Sequence, residues 1–249
     1  MRLILFLLLS IAAAPALAGQ RAVYAEPDGK TLTVEVADNG FARVLTGDAD
    51  QYGIWRDGQF YIVGREDGRV MVARIEDMAA AIDQVVPPIF KAMFQAAGSG
   101  PPASLRIEPK GRRRVAGHDG QVYAVYGIDR DKPKESADFV MSSEPALQPV
   151  GRAMEQFMIA TIVPIGALIG DAAAEMVADA RAVFAKGAPL DLGGRFILVS
   201  FEPAEVTQEM VTLPAKPQSV AEIVAGLKVG TTEPEDGAAP AAETQSRLD

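Results

Sequence analysis

No cysteine occurs among the 249 residues. Disulfides, thiolate nucleophiles, cysteine metal sites and a lipid-modified N-terminal cysteine are therefore excluded. Histidine is nearly as scarce: His118 stands alone, so the nitrogen and sulfur donors of a zinc site are missing. No G-x-S-x-G turn exposes a serine nucleophile, and neither usual glycine-rich phosphate loop is present. Basic charge is outweighed, with 24 Lys+Arg against 33 Asp+Glu. A surface of that sign repels phosphate backbones, which argues against nucleic acid as a partner. No cofactor and no metal is expected.

The chain opens with MRLILFLLLSIAAAPALAGQ. Arg2 supplies a short positive start, and residues 3–9 form an apolar core well below the ~20 residues that a membrane span needs. Ala16-Leu17-Ala18 is a small-x-small cleavage signal. The expectation is a signal peptide over 1–18, with a mature chain from Gly19 that is periplasmic or secreted and not an integral membrane protein. About 230 remaining residues can bury a sizeable core without disulfides. They are read as one domain over 19–229. Residues 230–249, GTTEPEDGAAPAAETQSRLD, have almost no bulky apolar side chain. They cannot offset their ordering entropy and are expected to be a disordered acidic tail.

Turn chemistry punctuates the first half. β-branched or alternating stretches at 31–36, 41–45, 52–56, 59–63 and 70–75 are separated by Asp38-Asn39-Gly40, Asp57-Gly58 and Glu66-Asp67-Gly68. Asp-Gly between apolar runs is a hairpin signal, so the five make an antiparallel meander. Asp77 is placed to cap a helix beginning at Met78, which Pro87-Pro88 breaks. A short second helix carries Ile89, Phe90, Met93 and Phe94 on one face, and 96–102 reads as a loop. Strands follow at 105–107, 113–115, 121–128 and 137–141, with a turn over 116–120.

The longest apolar run after the signal is FMIATIVPIGALIG, 157–170. Fourteen residues interrupted by Pro164 are short for a span, so a buried helix is expected. The GxxxG spacing of Gly166 and Gly170 says little in a chain so rich in Gly and Ala. A further helix is expected over 172–185, and closing strands over 196–201 and 209–213.

His118 sits beside Asp119 in AGHDGQ. Neighbours in a turn splay apart, and catalysis needs convergent partners, so a solvated turn histidine is the better reading. Arg112-Arg113-Arg114 falls short of the basic clusters that hold membranes and reads as a charged strand edge that resists aggregation. Asp48-Ala49-Asp50 lacks the Gly and the terminal Glu of a calcium loop and reads as a turn. What remains is an apolar inventory on helices that face a curved sheet: Phe90, Met93, Phe94, Met154, Phe157, Met158, Ile162, Ile165 and Ile169. Methionines and aromatics of this kind line adaptable hydrophobic pockets, and equally a plain closed core.

The segment VAGHDGQVYAV (115–125) resembles a strand pair of an exported bacterial family of unknown function. That family lies within the lipoprotein-carrier (LolA/LolB-like) superfamily. ADFVMSSEPAL (137–147) looks like that family's next strand and its exit into a helix. FEPAEV (201–206) and MVTLP (210–214) look like its closing strands. Gly120 stands where the family often has cysteine, and Phe139 where tryptophan is common. The resemblance implies an α+β fold: a curved antiparallel sheet, a half-open barrel, wrapped around a few apolar helices. It implies no catalytic residues. The resulting expectation is an exported, non-enzymatic protein that binds a lipid or other hydrophobic ligand between sheet and helices. The alternative is an envelope interaction or stress module with a solid core, acting through protein–protein contacts with an envelope partner.

Overall fold

The computed structural model describes residues 19–48, 50–66, 68–98, 105–129 and 132–229. The signal peptide and the acidic tail expected from the sequence lie outside them.

Six strands come first: β1 (Gln20–Ala25), β2 (Thr31–Val36), β3 (Ala42–Leu45), β4 (Gln51–Arg56), β5 (Gln59–Glu66) and β6 (Arg69–Arg74). The five strands of the expected meander are β2 to β6. Helices α1 (Ile75–Val85) and α2 (Pro88–Gly98) follow, then β7 (Arg106–Val115), β8 (His118–Tyr126) and β9 (Ser136–Ser142). Next come α3 (Gln148–Ile162), a 3-10 turn (Val163–Ile165), α4 (Gly166–Ile169) and α5 (Asp171–Phe184). Strands β10 (Ala188–Leu192) and β11 (Ile197–Pro203) and helix α6 (Val220–Val229) complete the order.

Among the described residues, eleven strands join one antiparallel sheet in the order β6-β5-β4-β3-β2-β1-β11-β10-β9-β8-β7. It does not close, since β6 and β7 are its two edges. It is strongly bent: β7 touches β11 although three strands lie between them, a separation of ~19 Å if the sheet were flat. α3 crosses the inner face, packing on β1 to β5 and on β10. The main core gathers there, with Val34, Val44, Val140, Leu147, Val150, Met154 and Leu190 fully buried.

The outer face of β2 to β6 is covered too, by a strap formed from residues 204–219. Val206 and Val211 pack on Ala37, and Leu213 and Ala215 pack on Ile54, Tyr61, Val63 and Val72. The Gln218 N–H donates to the Val72 carbonyl on edge strand β6 (2.8 Å). α6 then docks on α1 through Ile223 against Ala73 and Ala81. Under the same face, Glu35 is buried between Arg21 and Arg43 on its two neighbouring strands, at 2.9 and 2.6 Å.

Several expectations are corrected. Glu209–Val211 is a 3-10 turn of the strap, not a strand. β11 already has β1 and β10 as neighbours, so no sheet edge is open to 209–213 there. β10 was hidden by Pro189, a residue that removes a ladder donor; here the register shifts between Pro189 and Asp191 to accommodate it. α1 begins at Ile75 with no side-chain cap. Asp77 instead sits in its first turn, where a carboxylate meets the positive helix end, and pairs with Arg74 at 2.7 Å. The loop expected from residue 96 starts later, because α2 runs to Gly98. The expected 157–170 helix is divided by the 3-10 turn at Pro164 and stopped by Gly170, whose φ of +60° favours glycine.

Candidate functional site

The nine apolar residues picked from the sequence separate into three environments. Met154 is plain core on α3, with no exposure. On either side of it, α3 borders a cleft. Met158 and Ile162 line one of about 420 Å³ with α5, β9 and β10; Phe139, Val183, Phe184, Leu192 and Phe196 form much of its wall. Ile128, Asp179 and Arg195 also border it. Phe157 lines the second, about 330 Å³, with Tyr52, Gly53, Phe60, Ile62 and Pro164; its ring lies 6.3 Å from that of Phe60.

The third environment is the surface. Phe90, Met93 and Phe94 do not face the sheet. They lie on α2, which packs on α4, and they are 49%, 55% and 45% exposed. Ile89, one position earlier, is 75% exposed, and Ile165 on the 3-10 turn before α4 is exposed as well. Ile169 is half-buried in α4.

The sense in which α2 sits explains this. Gln95 lies against Gly170, and Lys91 reaches back to the Asp83 carboxylate and carbonyl of α1, each at 2.5 Å. Lys91 is thereby drawn against α1 and half-buried, while Gln95 and the apolar residues of α2 stay exposed. The amphipathic spacing was legible in the sequence, but which side would be buried was not. The half-buried stretch 145–169 has the length and mean hydropathy, 1.3, of a membrane span. In the fold it is divided into helical pieces, and its first half is committed to the sheet core.

The polar candidates resolve differently. The β7–β8 turn is Ala116-Gly117, both with positive φ (49° and 86°), so it is a two-residue hairpin of the primed type. His118 is thus not in the turn, as expected, but opens β8 opposite Val115. It is not simply solvated either. Its Nδ1 lies 2.7 Å from Glu144 Oε2, and its ring stands edge-on to Phe201, 5.5 Å between centroids. Glu144 Oε1 accepts the Asp119 N–H at 3.1 Å. The hydrogen bond from His118 chiefly holds the Glu144 carboxyl below its usual range. Ser142 is buried next to this pair, but its hydroxyl donates to the Asp119 carbonyl (2.9 Å) rather than toward a base. Gln148 Nε2 donates to the carbonyls of Ser142 and Glu144, tying the first turn of α3 to the same cluster.

The arginine triplet lies on edge strand β7, as expected of a protected edge. Arg113 pairs with Asp191 of β10, and Arg114 donates to the Gly117 carbonyl. Gly120 allows the hairpin to approach so closely. A Cβ there would stand 2.5 Å from Val140 and 2.9 Å from Leu190. Asp48 Oδ1 accepts the Asp50 N–H at 2.9 Å, a local turn. Among the described residues no three carboxylate or imidazole groups converge as metal ligands.

No family model matches the chain, and no curated protein does. Two solved structures are similar to it. The crystal structure of MucB is 17% identical, over 82% of this chain and 60% of that one, with a TM-score of 0.33. The crystal structure of MucB in complex with MucA(peri) is 16% identical, over 82% and 57%, with a TM-score of 0.28. The chain thus spans about 60% of the length of the solved chain it matches. A likeness at this level assigns neither a detailed fold nor a partner.

Proposed function

We propose that this protein is an exported, non-enzymatic envelope interaction module that acts through protein–protein contacts, with the outward apolar stripe of α2 as its contact surface. The observation that carries this is the exposure of Ile89, Phe90, Met93 and Phe94 together on one helix. Those four side chains leave on the order of 400 Å² uncovered, within the range of patches that mark binding surfaces. Photo-crosslinking from position 93 in living host cells tests the reading. Protein adducts are expected there and not from a control position on the exposed edge strand, such as 112. Equal labelling at both positions, or none at 93, overturns it.

A second reading rests on a separate observation, the 420 Å³ cleft beside α3. Its volume lies within the range of small-ligand sites, and its wall is mostly apolar. That supports the lipoprotein-carrier resemblance and a hydrophobic ligand between sheet and helices. Native mass spectrometry and lipid extraction of protein from its own host decide it. Repeated recovery of empty protein, with no binding of a fluorescent fatty acid, removes this reading.

A further inference from the structure

Resting on the cleft reading, we infer that the 420 Å³ cleft beside α3 takes a single-chain amphiphile with an anionic head, its tail on the apolar wall and its head on Arg195.

The wall is graded. Ile162, Val183 and Leu192 are buried, whereas Ile128 and Met176, which also border the cleft, are exposed. Apolar surface therefore runs without a break in character from the core to solvent, as suits a molecule with one dry end and one wet end. The volume lies toward the small end of ligand sites, which favours one acyl chain over two.

Arg195 supplies the polar contact. It follows the turn between β10 and β11, where Gly193 and Gly194 have φ of +64° and +78° and the Arg195 N–H donates to the Leu192 carbonyl at 3.1 Å. The turn is held in place. Asp191 Oδ1 accepts the Gly194 N–H at 2.7 Å, and a Cβ on Gly193 would stand 2.8 Å from the ring of Phe139, itself part of the wall. Asp191 is already paired with Arg113, so it does not neutralise Arg195. The Arg195 side chain borders the cleft, is exposed, and makes no ion pair or hydrogen bond among the described residues. A guanidinium so placed matches a carboxylate or a phosphate, both of which it can grip with two parallel hydrogen bonds.

The other charge at the cleft is Asp179 of α5, which already has an interaction. A cationic head would be repelled by Arg195, and a neutral oil would leave it unused. The net charge of −9 repels anions at long range, so a preference for an anionic ligand must arise locally.

The test titrates the full mature chain with cis-parinaric acid and with its methyl ester, below their micellar concentrations, and follows their fluorescence. The two probes share a tail and differ in charge. The acid is expected to bind about fivefold more tightly than the ester, the scale of a partly exposed ion pair. Arg195→Gln should bring the acid down to the ester, leave the ester unchanged and keep the wild-type melting temperature; Arg195→Lys should retain most of the preference. Ala180→Phe, which fills the cleft from α5, should remove both probes. Palmitate and palmitoyl lysophosphatidylglycerol then compete for bound parinaric acid: displacement by the first marks a carboxylate head, by the second a phosphate head, and by neither overturns the proposal. Equal binding of acid and ester overturns it, as does an acid affinity unmoved by Arg195→Gln. In both cases the cleft reading survives provided that Ala180→Phe still removes binding. Loss of both probes in Arg195→Gln also overturns it, because the side chain would then be shaping the cleft rather than meeting a head. If neither probe binds the wild type, the cleft reading falls with it.

Discussion

Helices α2 and α3 carry nearly the same kinds of apolar side chain and meet opposite fates. α3 has Met154, Phe157, Met158 and Ile162; α2 has Ile89, Phe90, Met93 and Phe94. Met154 is fully buried, whereas Met93 is more than half exposed. The difference does not lie in either helix. α3 is anchored at its first turn by Gln148 to the end of β9, and the bent sheet closes on it from both sides. α2 hangs between the Pro87-Pro88 break and its packing on α4, and only Lys91, held on Asp83, is drawn in from the surface. Amphipathicity states that a helix has an apolar side. Its anchors decide whether that side meets the core or the solvent.

The largest expected effect is on the matched methionines. Met154→Ala should lower stability by about 2–5 kcal/mol, the range for a truncated core side chain. Met93→Ala should stay within about 0.5 kcal/mol, as surface changes do. Urea midpoints of the two variants check this, and equal shifts would erase the contrast between the helices. Next is the glycine that lets the β7–β8 hairpin settle on the core beneath α3. Gly120→Ala should cost about 1–3 kcal/mol through overpacking against Val140 and Leu190. Gly111→Ala, on the partner strand with open space around it, should be near neutral by the same measurement.

The smallest effect concerns the anchor of α3. Glu144 has a depressed folded-state pKa because His118 hydrogen-bonds to it. Its contribution is therefore present above its ordinary pKa of about 4.5 and is lost as pH falls through the lower folded value. The stability difference between the wild type and Glu144→Gln should be visible at pH 6 and shrink below pH 4.5. It should stay small, since the carboxylate is 39% exposed and screened by water. A difference that grows on acidification would sink this account of the anchor.

Much of the sheet was legible from the sequence because its signals are local. Asp38-Asn39-Gly40 and Asp57-Gly58 specify tight turns, and the strands between them alternate. β10 and the strap were not legible, because both exist through distant partners. Pro189 is tolerated by a register shift against β9, and 209–213 follows β11, which already has β1 and β10 as its neighbours. The site was half legible. Phe157, Met158 and Ile162 do border clefts beneath the sheet, as a cavity reading requires. Phe90, Met93 and Phe94 share one helix face as their spacing implies, yet that face is left about half exposed, and it is Lys91 that is drawn in, to Asp83 of α1. Likewise, nothing local pairs His118 with Glu144, 26 residues away.

The strap has a consequence in time. Ile54, Val63 and Val72 are made early in synthesis, yet their cover, Leu213 and Ala215, follows some 140 to 160 residues later. Until then one side of the meander is a greasy sheet with an open border at β6. Closing so long a loop is slow, and a half-emerged chain offers that border to any neighbouring strand. The polypeptide is thus most vulnerable to clumping just before the strap and α6, residues 204–229, arrive, and a holding chaperone would matter most in that interval.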